Sequence, residues 1–165
     1  MAKMTIRAEK DFEIALSRLE AKSEVIGRKA IYAAANIVTD EIRRNIDALP
    51  EEPFKKLNTD MGEEFQSVPK NQKKDLQDSL GISGIAVDRD GNLNTKVGFD
   101  DYGYYTTKKY PQGVPNALTA RSIESGSSVR QKTPFVRPAV NKTKNAVKAA
   151  MSKVIEEETK KIMKG

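Results

Sequence analysis

The feature that most constrains this chain is a helical pattern of unusual length near its start. Across residues 9–49, Phe12, Leu16, Leu19, Ile26, Ala30, Ala33 and Ile37 recur at alternating steps of four and three, with Ser23 as a polar member. That spacing makes one narrow apolar stripe on a helix. Past Ile37 the stripe moves to Val38, Ile42, Ile46 and Leu49; Gly27 interrupts the middle, and Pro50 ends the pattern. The stretch reads either as one kinked helix or as two. In both forms it needs a long partner surface, within the chain or on a neighbouring subunit, because helices in water depend mainly on packing of an apolar face.

Only a modest core is available to supply that surface. The chain has 165 residues, 38% hydrophobic and 32% charged, which fits a single domain over residues 1–165. No apolar run approaches the ~18–20 residues of a membrane-spanning helix. The polar start Met1-Ala2-Lys3-Met4-Thr5 lacks the apolar segment of a signal peptide, so a soluble chain without membrane contact is expected. Cysteine and histidine are both absent, which removes disulfides, thiolate nucleophiles, most zinc sites and the commonest general base. Neither a glycine-rich phosphate loop nor a paired-carboxylate signature stands out. The expectation is a protein that is not an enzyme, with no cofactor and no metal.

Residues 50–74 change character: Pro53, Gly62 and Pro69 punctuate a charged stretch with little periodicity, expected as a flexible loop. Phe54, Leu57, Met61, Phe65 and Val68 keep a partial helical spacing, so a short helix inside it stays open. Next, Asp90-Gly91 separates two runs with β-branched residues, 81–87 and 93–99, which is a hairpin signal. Asp88, Asp90 and Asn92 invite a calcium reading, but glycine falls at the fourth loop position instead of the sixth and no glutamate follows at the twelfth. The turn reading stands. Tyr102, Tyr104, Tyr105 and Tyr110, with Lys108 and Lys109 between them, have three readings: strand residues covering the sheet, a protein interface, or a platform for stacking bases. Asn116 is placed to cap a short helix over 117–124, closed by Gly126.

Two prolines then bracket a short apolar run, Pro134-Phe135-Val136-Arg137-Pro138. Pro134 pushes Thr133 towards extended backbone, and Pro138 suits the first turn of a helix, where its missing N–H has no partner to lose. The last helix is expected over 138–163, with Val140, Val147, Met151, Val154 or Ile155, and Ile162 on one face. From Ser127 onward there are ten basic residues against three acidic ones, so the net charge of +6 resides in this part of the chain. Those lysines serve either as a solvated helix face or as a contact for nucleic acid or an acidic protein. The expected fold is α+β: a long N-terminal helix, a small antiparallel sheet with a hairpin, a short helix, and a long amphipathic C-terminal helix packed on the sheet.

The order of these pieces is informative. Leu76-Gln77-Asp78-Ser79-Leu80 before the hairpin, Thr95-Lys96-Val97-Gly98 at a strand end, Ile123-Glu124-Ser125-Gly126, and Thr133-Pro134-Phe135-Val136-Arg137-Pro138-Ala139 opening the last helix follow one another. From about residue 75 to the C-terminus this order resembles the tail-completion (head-tail joining, minor tail) proteins of long-tailed phages and prophages. Ser125 stands where that family usually has an aromatic residue. The resemblance implies a ring-forming structural protein, with a hexamer as the expected ring, between the head-completion or connector proteins and the tail tube or tail terminator. It further implies assembly in the bacterial host cytoplasm, incorporation into the virion neck, and DNA only as passage through the ring. Phe135 is then expected as a buried anchor, with Glu124, Gly126, Arg137 and Pro138 holding the fold and Arg137 either pairing with Glu124 or reaching a partner. Partner contacts are expected from Tyr102, Tyr104, Tyr105, Tyr110, Phe54 and Phe65. The alternative is a basic nucleic-acid-binding protein using the C-terminal helix and the tyrosine cluster.

Overall fold

A computed structural model describes residues 10–164. The first helix, α1 (Lys10–Asp47), is continuous over 38 residues, about 57 Å at 1.5 Å per residue. Of the two forms open from sequence, it is therefore the single helix. Gly27 does not break it. A Cβ at Gly27 would lie 2.9 Å from Leu93 Cδ1, so glycine there makes room for a hairpin leucine against the helix.

After α1 come β1 (Glu51–Glu52), a 3₁₀ turn (Thr59–Met61), β2 (Val68–Pro69), α2 (Lys70–Ser79), β3 (Leu80–Ile82), β4 (Ala86–Val87), β5 (Leu93–Asn94), β6 (Val97–Phe99), α3 (Asn116–Ser125) and α4 (Val136–Lys164). The architecture is α+β, with a long helix at each end and short strands between them. Strands β1 and β2 pair in parallel. Leu80, Gly81 and Ile82 face Phe99, Gly98 and Val97 in an antiparallel ladder, continued by Ala86 and Val87 opposite Asn94 and Leu93. The expected loop is shorter than 50–74, because residues 70–74 belong to α2. Its only helical piece among the described residues is the 3₁₀ turn.

The hairpin tip departs from the expected two-residue turn. Gly91 alone in it has positive φ (83°), and its N–H donates to the Asp88 carbonyl at 3.1 Å. The Asp88 carboxylate accepts the N–H groups of Asn92 at 2.8 Å and Asp90 at 3.0 Å. These bonds, Asn92's first, hold the Asp88 pKa below its usual value. The aspartate closes the turn.

Helices α1 and α4 form the longest interface and run antiparallel. Asn45 Nδ2 donates to the Phe135 carbonyl at 2.8 Å near one end, Lys142 Nζ meets Glu41 at 2.6 Å, and Lys29 Nζ meets Glu158 at 2.6 Å towards the other. The helix α4 reaches the sheet through Val147 and Met151, which line a shallow cavity with Leu93 and Val97. Phe135 meets Phe99 at 6.0 Å, edge to face.

The stripe read from sequence, with its shift at Val38, matches the buried line from Ile26 on α1 to Leu49 just past it, and fails at the start of the helix. Ile26 and Ala30 are buried, but Phe12 and Leu16 are about half exposed, and burial continues through Ala34, Ala35, Ile42, Ile46 and Leu49. A straight helix has 3.6 residues per turn, so a strict four-three repeat drifts off its contact face within a few turns. On α4 the buried positions are Ala139 and Thr143, while Val140 and Ile155 point outward. The core gathers where the end of α1 meets α2, α3 and the start of α4: Ile42, Ile46, Leu76, Leu80, Ile123 and Phe135 are central to it. No helix among the described residues is long and apolar enough to cross a membrane.

Candidate functional site

Two sites emerge from side chains that the fold brings together from distant parts of the chain. The first is the joint between α3 and α4. Ala120 and Ile123 are buried and fix α3 on the core, while Gly126 ends it with φ of 77°. The residues after Gly126 fold back, so that Thr133 N–H reaches the Ile123 carbonyl at 2.7 Å and Lys132 passes 3.2 Å from where a Cβ on Gly126 would sit. The return places Glu124 under the first turn of α4. Its Oε2 accepts the N–H groups of Phe135 at 2.7 Å and Val136 at 2.8 Å, and its Oε1 accepts that of Arg137 at 3.1 Å. Pro138 follows and has no N–H. The carboxylate and the proline thus account for the free donors that a helix start leaves, and a negative charge sits at the positive end of the helix dipole.

Phe135 is 1% exposed and fully enclosed. The Arg137 side chain does not pair with Glu124. Only its backbone N–H does, and the exposed guanidinium makes no ion pair among the described residues. A matching device closes the other long helix: Lys73 Nζ donates to the carbonyls of Asp47 at 2.7 Å and Leu49 at 3.0 Å, and to Glu51 Oε1 at 2.9 Å. A cation on the last carbonyls of α1 suits the negative end of its dipole. Lys73 also holds the Glu51 carboxyl below its usual pKa.

The second site is an aromatic cleft formed by residues 53–57, the tyrosine loop and α3. Phe54 lies 5.8 Å from Phe65 and 5.1 Å from Tyr105, ring centre to ring centre. The Arg130 guanidinium stacks on Phe65 at 4.9 Å. The loop is anchored by Phe65 N–H to the Val129 carbonyl and Gln131 N–H to the Phe65 carbonyl, both at 2.9 Å. On the far side, Gly103 N–H meets the Val114 carbonyl at 2.8 Å, Val114 N–H meets the Tyr105 carbonyl at 2.7 Å, and Tyr104 N–H meets Asp75 at 2.8 Å.

Of the six aromatic residues named from sequence, the fold assembles Phe54, Phe65 and Tyr105 into one row and puts Tyr104 on its rim. Tyr102 stands apart and well exposed, and Tyr110 packs under Lys109, 5.5 Å from its ring centre. Phe65 is 5% exposed, so it is the floor of the cleft and not a contact. Asn116 does not cap α3: it is buried at the first helical position, and its Nδ2 donates to the Asp100 carbonyl at 3.0 Å.

The residues that sequence reasoning missed are Arg130 and Gln72. Arg130 donates to the Ser67 carbonyl at 2.9 Å and to Gln72 Oε1 at 2.6 Å. Burial lowers the Arg130 pKa from its ordinary value, opposed by the charge of Glu52. No spacing or motif marks either residue, because their partners are far apart in the chain. Among the described residues no group of three acidic side chains is placed to hold a metal ion. No family model, curated protein or solved structure matches the chain.

Proposed function

We propose that this chain is a structural protein of phage virion assembly, a tail-completion component acting as one subunit of a ring between the head-completion proteins and the tail tube. The observation that carries the reading is the α3–α4 joint. The two segments on which the resemblance rests most heavily, Glu124-Ser125-Gly126 and Pro134 to Ala139, make a single unit in which Glu124 caps the helix opened by Phe135 and Pro138. Exposed apolar side chains on α1, among them Phe12, Ile14, Leu16 and Val25, agree with packing against neighbouring subunits. On this reading the protein works in the bacterial host cytoplasm during assembly and then in the virion neck, and DNA passes through the ring.

The nucleic-acid reading is the alternative, and exposed cations for it are present. Lys132, Arg137, Lys144, Lys148, Lys160 and Lys164 make no ion pair among the described residues, whereas Lys142, Lys153 and Lys161 face Glu41, Glu157 and Glu158 and Arg130 is buried. Phosphate binding needs cations exposed and unengaged. The test is deletion of the gene from the phage or prophage that encodes it. Filled heads and separate, complete tails are the expected products, with joined particles restored by the wild-type gene in trans. Normal virions after deletion would refute the assembly role, and tight DNA binding by the purified protein that falls steeply with salt would favour the alternative.

A further inference from the structure

Two charged residues are buried among the described residues, and the fold treats them differently. Glu41 is paired with Lys142 at 2.6 Å and Arg44 at 3.0 Å. Arg130, 6% exposed, has no carboxylate within 4.0 Å among the described residues. Its two side-chain acceptors among the described residues, the Ser67 carbonyl and the Gln72 amide, are neutral, the Phe65 ring covers one face of the guanidinium at 4.9 Å, and Nε, which has no acceptor there, is not fully buried and so can meet an incoming group. Glu52, whose charge Arg130 feels, is engaged elsewhere, by Ser67 N–H at 2.7 Å and Lys55 at 3.5 Å. Taking a cation out of water without an opposite charge is costly, and folds ordinarily pair it.

Arg130 lines a cavity of about 590 Å³. Phe54, Leu118 and Val129 supply apolar wall, and Lys55 and Lys56 line the same space, with no acidic residue among the lining. Across the Phe54–Tyr105 pair, the neighbouring cavity is mixed in sign, with Glu52 and Asp75 beside Lys70. The positive character is therefore local to the Arg130 side.

We infer that this cleft docks an extended acidic segment of a partner protein, seating one carboxylate on Arg130 and an adjacent apolar side chain between Phe54 and Leu118. A carboxylate matches the planar fork of a guanidinium. A side-chain carboxylate on a flexible arm reaches a cation at this depth, whereas a nucleic-acid backbone, a stiff series of phosphates, requires cations at the surface. The inference stands on the cleft alone and does not depend on the assembly role.

The probe is a fluorescein-labelled octapeptide of alternating glutamate and leucine, titrated against the full chain by fluorescence anisotropy. A counterpart with lysine for glutamate is the control, and oligothymidylate the competitor. Saturable binding of the acidic peptide is expected, with the lysine peptide at least about tenfold weaker. Arg130→Lys should weaken binding by roughly 30-fold or more, and Lys56→Glu, at the exposed rim, by about fivefold with a flatter salt dependence. Should Arg130→Lys fail to fold, Lys56→Glu and Leu118→Asp decide the matter, since both residues are surface-exposed. Equal binding of the two peptides, indifference to the rim variants, or equally effective displacement by oligothymidylate would overturn the proposal.

Discussion

Replacing Glu124 isolates the joint between α3 and α4. In the wild type, Oε2 serves the partly buried N–H groups of Phe135 and Val136, while Oε1 serves the more exposed N–H of Arg137. Glu124→Ala leaves the first two donors without an acceptor, at about 1.5 kcal/mol each for bonds to a charged group. Loss of the negative charge at the helix N-terminus adds about 0.5–1 kcal/mol, and water replaces the acceptor for Arg137. The expected destabilisation is about 3.5–4 kcal/mol, equivalent to a fall in Tm of roughly 7–16 °C for a chain of this size. Glu124→Gln behaves differently. Its carbonyl oxygen can occupy the Oε2 position and keep both buried donors, so what is lost is the charge at the helix end and the charge assistance of those two bonds, about 1–2 kcal/mol. Urea unfolding followed by far-ultraviolet circular dichroism measures both variants. An alanine cost under about 0.5 kcal/mol, typical of an exposed surface position, or a glutamine cost equal to that of alanine, would refute the capping account.

Truncation of the enclosed Phe135 to alanine should cost about 3–5 kcal/mol by the same measurement, because it removes the ring against Phe99 and leaves a cavity at the centre of the core. The α1–α4 pair should weaken in acid through Glu158, whose hydrogen bonds to Lys161 and Lys29 pull its pKa from 4.5 down to about 2. A depressed carboxylate stabilises the fold fully above its unfolded pKa and loses that contribution as pH falls through the folded value. The Tm difference between wild type and Glu158→Gln should therefore be constant above about pH 5 and close between pH 4.5 and 2; a difference independent of pH would refute the pairing.

Local rules in the sequence determined a good part of this molecule. The two terminal helices, the hairpin at Asp90-Gly91, the proline in the first turn of α4 and the glycine that ends α3 all follow from spacing over one or two turns, or from the φ preference of a single residue. These are properties a residue carries with it. The buried face of α1 was legible through Ile26, Ala30, Val38, Ile42 and Ile46, but not at its start, where the four-three stripe slides around a straight helix and leaves Phe12 and Leu16 half exposed. Asn116 likewise has the side chain of a cap, but the Asp100 carbonyl of a neighbouring segment claims it.

Tertiary structure alone decided the devices that hold the helix ends and shape the cleft. The carboxylate of Glu124 reaches donors eleven to thirteen residues away, and Lys73 reaches carbonyls 24 and 26 residues before it. Arg130 meets Gln72 and Ser67 across separations of 58 and 63 residues. No periodicity connects such partners. They meet because the apolar core around Ile46, Leu76, Ile123 and Phe135 draws α2 and α3 onto the junction of the long helices, and polar groups brought there must find whatever partner the packing supplies.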